Sequence, residues 1–82
     1  MRLGTVTGAV WSSKKCPALS GQILLRVRTG GEEIVAADLV GAGTGERVLL
    51  VSGAAARMLR HDVPIDAAII AILDEEGDTY ER

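Results

Sequence analysis

The chain has 82 residues, of which 48% are hydrophobic and 2% aromatic, and its formal net charge at pH 7 is −2. A chain of this length forms one domain, and its single cysteine and single histidine exclude an internal disulfide and a structural zinc site. The weak negative charge argues against a nucleic-acid or anionic-membrane partner. Val, Leu, Ile and Ala supply more apolar surface than a small monomer easily hides, which indicates self-association.

The first half of the chain is predicted to form three strands. A strand over 3–11 is indicated by Thr and Val residues interspersed with glycines, and a loop rich in turn-forming residues follows over 12–21. Apolar and polar residues alternate over 22–28, and a Gly30-Gly31 turn leads into a return strand over 33–38. This part of the chain therefore predicts one strand followed by a hairpin.

The second half is predicted to add two strands and one short helix. A strand over 47–52 ends at Ser52, whose hydroxyl we expect to cap a helix of about two turns. The apolar run 65–73 predicts a last strand that is buried on both faces. We expect 75–82 to form a flexible acidic tail of a single domain that covers 1–82. Five short strands favour a closed barrel, because an open sheet would expose long edges.

The glycine loop, residues 40–45 of VGAGTGERVLL, raises the question of phosphate binding. A phosphate-binding P-loop needs Lys and then Ser or Thr after its last glycine, whereas Glu46 and Arg47 follow Gly45 here. A dinucleotide fingerprint needs a helix after the glycines, whereas a strand is predicted. The loop is therefore interpreted as a tight turn that another backbone can approach closely.

Few residues suggest catalysis. Cys16 follows two lysines, but the only available imidazole is His61 and no pattern brings the two together. Asp38 and Asp66 each lie among apolar residues. They are either an acid–base pair or structural carboxylates that accept N–H groups from a turn or a neighbouring subunit, and the structural role is favoured.

Four segments, in this order and spacing, carry a family resemblance along nearly the whole chain. They are GTVTGAVWSSKK (4–15), LSGQILLRV (19–27), VAADLVGAGTGERVLLVSGAAAR (35–57) and PIDAAIIAILD (64–74). The chain resembles the bacterial microcompartment vertex protein family, the pentameric shell proteins of carboxysomes and metabolosomes. Its hairpin around Thr29-Gly30-Gly31 is shorter than is usual for that family.

The resemblance implies a mainly β fold: a small five-stranded barrel of oligonucleotide-binding (OB) topology, without that activity and with one short helix. It implies a cyclic homopentamer that caps the vertices of a shell otherwise tiled by hexameric shell proteins. Such a protein is structural, uses no cofactor and lies in the bacterial cytoplasm. The free thiol and the lack of an export signal also predict the cytoplasmic location. The alternative is a small barrel that binds a metabolite or an oligonucleotide.

The resemblance and the small side chains together suggest where subunits meet. The glycine loop is expected to form a tight turn at the subunit interface, and the segment after Ser52 a second small-residue surface with Arg57 as a polar contact. Two lysines are expected on a rim that meets adjacent hexamers. The candidate interface residues are Asp38, Gly41, Ala42, Gly43, Gly45, Ser52, Gly53, Arg57 and Asp66, and the candidate rim residues are Lys14 and Lys15.

Overall fold

A computed structural model describes residues 1–74 of the chain; the predicted acidic tail, 75–82, lies outside the described residues. The described part contains five strands, a short 3-10 helix (Pro17–Leu19) and one α-helix. The strands are β1 (Arg2–Ala9), β2 (Leu24–Thr29), β3 (Glu32–Asp38), β4 (Arg47–Ser52) and β5 (Ala67–Ile72), and the helix is α1 (Ala54–Leu59).

The five strands form a closed barrel in the order β1-β2-β3-β5-β4, which confirms the predicted fold class. β1 pairs antiparallel with β2 on one side and with β4 on the other, and β5 pairs antiparallel with β4. β3 and β5 close the barrel as parallel neighbours through two residue pairs, Ala37 with Ala68 and Asp38 with Ile69. The closure is narrow, because β3 has no partner on the β5 side over 32–36.

Two clusters of apolar side chains lie on the two sides of the barrel wall. An inner cluster fills the barrel with Val6, Leu25, Val27, Ala36, Val48, Leu50, Ala67 and Ile69. An outer cluster packs α1 and the segment after it against the outside of the wall through Ala37, Val51, Ala56, Val63, Ile65 and Ala68. Because β5 contributes to both clusters, its first half is buried on both faces, as predicted.

Three of the predicted strand boundaries were wrong by two residues, and four others by one residue. β1 ends at Ala9, and Trp11 beyond it is 90% exposed. The alternation over 22–28 predicted that Ile23 lies in a strand, but β2 begins only at Leu24 and Ile23 is 60% exposed. β5 begins two residues later than predicted, and its burial fades along the strand until Ile72 is 39% exposed.

The predicted cap of the helix was also wrong. Ser52 is the last residue of β4 and pairs with Ala67, and because α1 begins only at Ala54, Ser52 lies one residue before the N-cap position. Gly53 occupies the N-cap position with φ of 63°, and no side chain caps the helix. The Gly53 N–H donates instead to the Asp66 carbonyl at 2.8 Å, which joins the start of α1 to the segment that leads into β5.

We predict that Ile69→Ala lowers the free energy of unfolding by about 2–5 kcal/mol, because the side chain is fully buried in the inner cluster. The matched control Ile72→Ala removes the same atoms from the exposed end of β5 and is expected to cost about 1 kcal/mol or less. Denaturant unfolding at one fixed protein concentration measures both values. Equal losses from the two variants would contradict this description of the core.

Candidate subunit interface

The Asp38 carboxylate organises the first half of the glycine loop. Its Oδ1 accepts N–H groups from Val40 at 3.2 Å, Gly41 at 3.0 Å and Ala42 at 3.2 Å. Its Oδ2 accepts the Ala42 N–H as well, at 3.0 Å. Asp38 is half-buried at the end of β3, so one carboxylate fixes the direction in which the chain leaves the barrel. The structural role that was favoured for Asp38 is therefore observed in this turn.

Glu46 organises the second half of the loop. Its Oε1 accepts the Gly43 N–H at 2.7 Å, and its own N–H donates to the Gly43 carbonyl at 3.1 Å. The Gly45 N–H donates to the Val6 carbonyl at 2.8 Å, which attaches the loop to β1. Sequence reasoning assigned Glu46 no structural role; the signal for it was an acidic residue three positions after a glycine in a turn.

These hydrogen bonds decide against a phosphate cradle. A phosphate-binding loop presents backbone N–H groups that have no other acceptor. Here the N–H groups of Val40, Gly41, Ala42 and Gly43 already donate to carboxylates that the chain itself supplies. A bound phosphate would have to displace Asp38 or Glu46 and would be repelled by the charge of both.

Backbone conformation explains why two of the three positions in the loop are occupied by glycine. Gly41 and Gly45 have φ of 82° and 91°, a region that side chains other than glycine rarely adopt. Gly43 has no positive φ, and a Cβ placed there would meet only Glu46 Oε1, at an ordinary 3.6 Å. Within one subunit, therefore, neither the backbone conformation nor steric crowding requires a glycine at Gly43.

The second small-residue surface is formed by Ser52, Gly53 and α1. Ala56 is the buried residue of this helix, and the other five residues of α1 are exposed. Among residues 1–74, no carboxylate pairs with Arg57, although Arg60 just after the helix forms an ion pair with Asp62 at 3.2 Å. The side-chain hydrogen bond from Arg60 lowers the pKa of Asp62.

The structure places the two small-residue surfaces at opposite ends of β4. The glycine loop enters β4 at Arg47, and Ser52 and Gly53 leave it five residues later. At roughly 3.3 Å per residue, the two ends lie about 17 Å apart. One subunit therefore presents the two surfaces as separate patches and does not combine them into one.

Asp66 differs from Asp38, although the sequence suggested similar surroundings for both. Its side chain is exposed, and only its backbone carbonyl is engaged, by Gly53 N–H. Asp38 pairs with Ile69, three residues beyond Asp66 along β5, so the two carboxylates do not meet as an acid–base pair. Within one subunit the Asp66 carboxylate accepts no N–H group from a turn, and its contact with a neighbouring subunit stays a prediction.

Lys14 and Lys15 lie on the exposed loop between β1 and β2. Lys15 lines a mainly apolar depression of about 280 Å³, together with Trp11, Leu19 and Ile23. Lys15 thus projects from a surface that also exposes two large apolar side chains, Trp11 and Ile23. They lie on a different loop from the glycine loop and from α1.

Residues 1–74 contain no group of three His, Cys, Asp or Glu side chains placed to hold a metal ion. In the same range, no helix has the length and apolar character needed to cross a membrane.

Known proteins were compared with the chain by sequence. Residues 1–74 match the family model described as "Ethanolamine utilisation protein EutN/carboxysome". The shell vertex protein PduN of Salmonella typhimurium is 44% identical, over 90% of this chain and 96% of its own length. The carboxysome shell vertex protein CcmL of Synechococcus elongatus is 43% identical, over 100% of this chain and 96% of its own.

Solved structures give the same result. GrpN, a pentameric microcompartment shell protein from Rhodospirillum rubrum, superposes with a TM-score of 0.81 at 41% identity, covering 90% of this chain and 94% of its own. The pentameric shell protein MSM0273 from the RMM microcompartment superposes with a TM-score of 0.85 at 34% identity, covering 100% of both chains. These relatives support the shell-protein interpretation and not the alternative of a binding module. The chain belongs to the EutN/CcmL family of bacterial microcompartment shell vertex proteins.

Proposed function

We propose that this chain is a structural shell subunit that assembles as a ring of five and closes the vertices of a polyhedral bacterial microcompartment. The observation that carries the proposal is the likeness of the whole described barrel to solved shell proteins that are described as pentameric. Flat sheets of hexamers cannot enclose a volume, and five-fold units at the corners supply the missing curvature. The partners of the ring are hexameric shell proteins, and its place is the shell, within the bacterial cytoplasm.

The chemistry of the described residues supports a role in assembly without catalysis or nucleic-acid binding. Large apolar side chains remain exposed on one subunit, among them Trp11, Met58 and Leu59. Such surface is costly in water and is stabilised when a neighbouring subunit covers it. The glycine loop is the part of the chain that most resembles a ligand site. Its Gly41 and Gly43 N–H groups already donate to the carboxylates of Asp38 and Glu46.

The proposed contact joins the glycine loop of one subunit to the Ser52–Arg57 surface of the next. A cyclic ring uses heterologous contacts, in which one patch meets a different patch on the neighbour. The two small-residue surfaces at opposite ends of β4 meet that requirement. Gly43, whose missing side chain has no reason within the subunit, lies where the neighbour approaches closely. Arg57, Asp38 and Asp66 supply charged groups along the same contact.

Native mass spectrometry of the purified full-length chain, with light scattering over a dilution series, tests the proposed ring. We expect a persistent species of five subunits, because ring closure makes each subunit bury two patches at once. A stable and well-folded monomer at all concentrations would contradict the proposal. In that case an oligonucleotide gel shift at low and high salt would test the binding-module alternative.

We predict that Gly43→Leu abolishes the five-subunit species while the barrel stays folded. In a single subunit the added Cβ makes only an ordinary contact, with Glu46 Oε1 at 3.6 Å, but the leucine side chain would fill the proposed contact between subunits. Gly43→Ala is the matched control, because it also removes the glycine but adds only one carbon at a position without a positive φ. Native mass spectrometry reports the ring, and circular dichroism reports the fold. Normal pentamers of Gly43→Leu would show that the glycine loop lies away from the interface.

We predict that Lys14→Glu with Lys15→Glu weakens co-assembly with hexameric shell proteins and leaves the ring intact. Both side chains are exposed on the loop between β1 and β2, outside the proposed ring contact. The measurement is the fraction of the variant that co-purifies with assembled shells, relative to the unchanged chain. Lys14→Arg with Lys15→Arg retains the charge and is the control. Co-purification of the charge-reversed variant at the normal level would remove these lysines from the rim.

A further inference from the structure

The two strands that close the barrel leave free edges before and after their short contact. β3 and β5 run parallel and pair only through Ala37 with Ala68 and Asp38 with Ile69. Residues 32–36 of β3, called here the β3 edge, come before this contact. Residues 70–72 of β5, called here the β5 end, come after it. Free strand edges present N–H and C=O groups to which another strand can bond.

Two hydrogen bonds show which backbone groups of β3 face its free side. Asp38 N–H donates to the Ile23 carbonyl at 2.9 Å, on the β2 side, and Leu39 N–H donates to the Ile69 carbonyl at 3.3 Å, on the β5 side. Successive residues of a strand direct these groups to opposite sides, so Val35, an even number of residues before Leu39, directs its groups to the β5 side. Since β5 does not reach it, the N–H and C=O groups of Val35 have no strand partner among residues 1–74.

The β5 end shows the same arrangement. Ile72 pairs with Val48 of β4, and the next residue, Leu73, donates its N–H to the Arg47 carbonyl at 2.7 Å. The backbone groups of Leu73 therefore face β4, and those of Ile72 face away from it, where no strand of the described part of the chain pairs with them. Ile72 and Val35 are both large apolar residues that remain exposed, by 39% and 46%.

Each free edge lies beside one of the two surfaces of the proposed ring contact. Val35 of the β3 edge lines a depression of about 270 Å³ together with Ser52 and Asp66. At the β5 end, Leu73 is bonded to Arg47, the residue at which the glycine loop enters β4. A head-to-tail ring joins one surface of each subunit to the other surface of the next. It therefore also brings the β5 end of one subunit to the β3 edge of its neighbour.

We infer that the β5 end of one subunit pairs with the β3 edge of the next, so that the barrel wall continues across the subunit boundary. Ile72 lies beside Val35 of the neighbouring subunit, the two side chains cover each other, and backbone hydrogen bonds join the edges. The inference rests on the proposed ring and names a contact within it. In a closed ring every such edge has a partner, so none is left to recruit further strands.

A disulfide cross-link tests this contact in the full-length chain. Val35→Cys with Ile72→Cys is made in a Cys16→Ser background, because the Cys16 thiol is exposed. In one subunit Val35 lies three residues before the paired Asp38, and Ile72 three residues after the paired Ile69. This places them about 20 Å apart, well beyond the roughly 7 Å between Cα atoms that a disulfide can bridge. We expect mild oxidation to give a ladder of linked subunits, up to five, on a non-reducing denaturing gel.

Ile72→Cys with Trp11→Cys in the same background is the matched control, and we expect no ladder from it. Trp11 is 90% exposed but lies on the loop between β1 and β2, outside the proposed contact. An equal ladder from the control would show that exposed thiols link by collision and would overturn the inference. So would the absence of a ladder from the Val35 and Ile72 pair in a protein that native mass spectrometry shows to have five subunits, although the ring would stand. A chain that is monomeric at every concentration would overturn the ring and this contact together.

Val35→Pro tests the backbone pairing separately. Proline removes the N–H on the free side of β3 and leaves the hydrogen bonds to β2 in place. We expect the concentration at which the ring dissociates to rise by about tenfold or more, because each of the contacts loses a hydrogen bond. Val35→Thr keeps the N–H and a β-branched side chain and is the control. Native mass spectrometry over a dilution series measures dissociation, and circular dichroism reports the fold. An unchanged dissociation concentration for folded Val35→Pro would contradict the pairing; if this variant does not fold, the cross-link decides.

Discussion

The barrel depends on the short contact between β3 and β5. Two residue pairs close the sheet, and both lie where the barrel wall has apolar groups on each side: Ala37 and Ala68 contribute to the outer cluster, and Ile69 to the inner one. On the outside of the wall, the small side chains of Ala37 and Ala68 pack in one cluster with Ala56 of α1. β3 is already unpaired on this side over 32–36, so opening this contact would free its whole edge and the barrel would become an open sheet.

Asp38 couples this closure to the glycine loop. The same residue that pairs with Ile69 in the closing contact also holds three N–H groups of the loop through its carboxylate. The position of the loop on the surface is therefore fixed by the same contact that closes the barrel. Glycine-rich sequence alone does not distinguish such a loop from an anion-binding one. The distinction lies in which acceptors the N–H groups already have, and here the chain supplies them.

Much of the fold could be predicted from local sequence because its signals are local. The Gly30-Gly31 turn, with φ of 58° and 86°, is a two-residue hairpin turn, and the strand over Arg47–Ser52 was predicted with its observed bounds. Strand ends depend on pairing partners that are distant in sequence, which is why Trp11 and Ile23 were assigned to strands wrongly. The prediction that Ser52 caps the helix was wrong for the same reason. Pairing with Ala67 keeps Ser52 in β4, and Gly53 becomes the N-cap residue.

The exposed Trp11 gives the protein an intrinsic fluorescent probe of one part of its surface. It is the only tryptophan of the chain, and 90% of its surface is accessible in the single subunit. Its indole lines the depression beside Lys15 and Ile23, so the wavelength of its fluorescence emission reports the polarity of that one surface. Any neighbour that covers the loop between β1 and β2 changes this emission without a label or a substitution. Association at this surface can therefore be followed in real time with the unmodified protein.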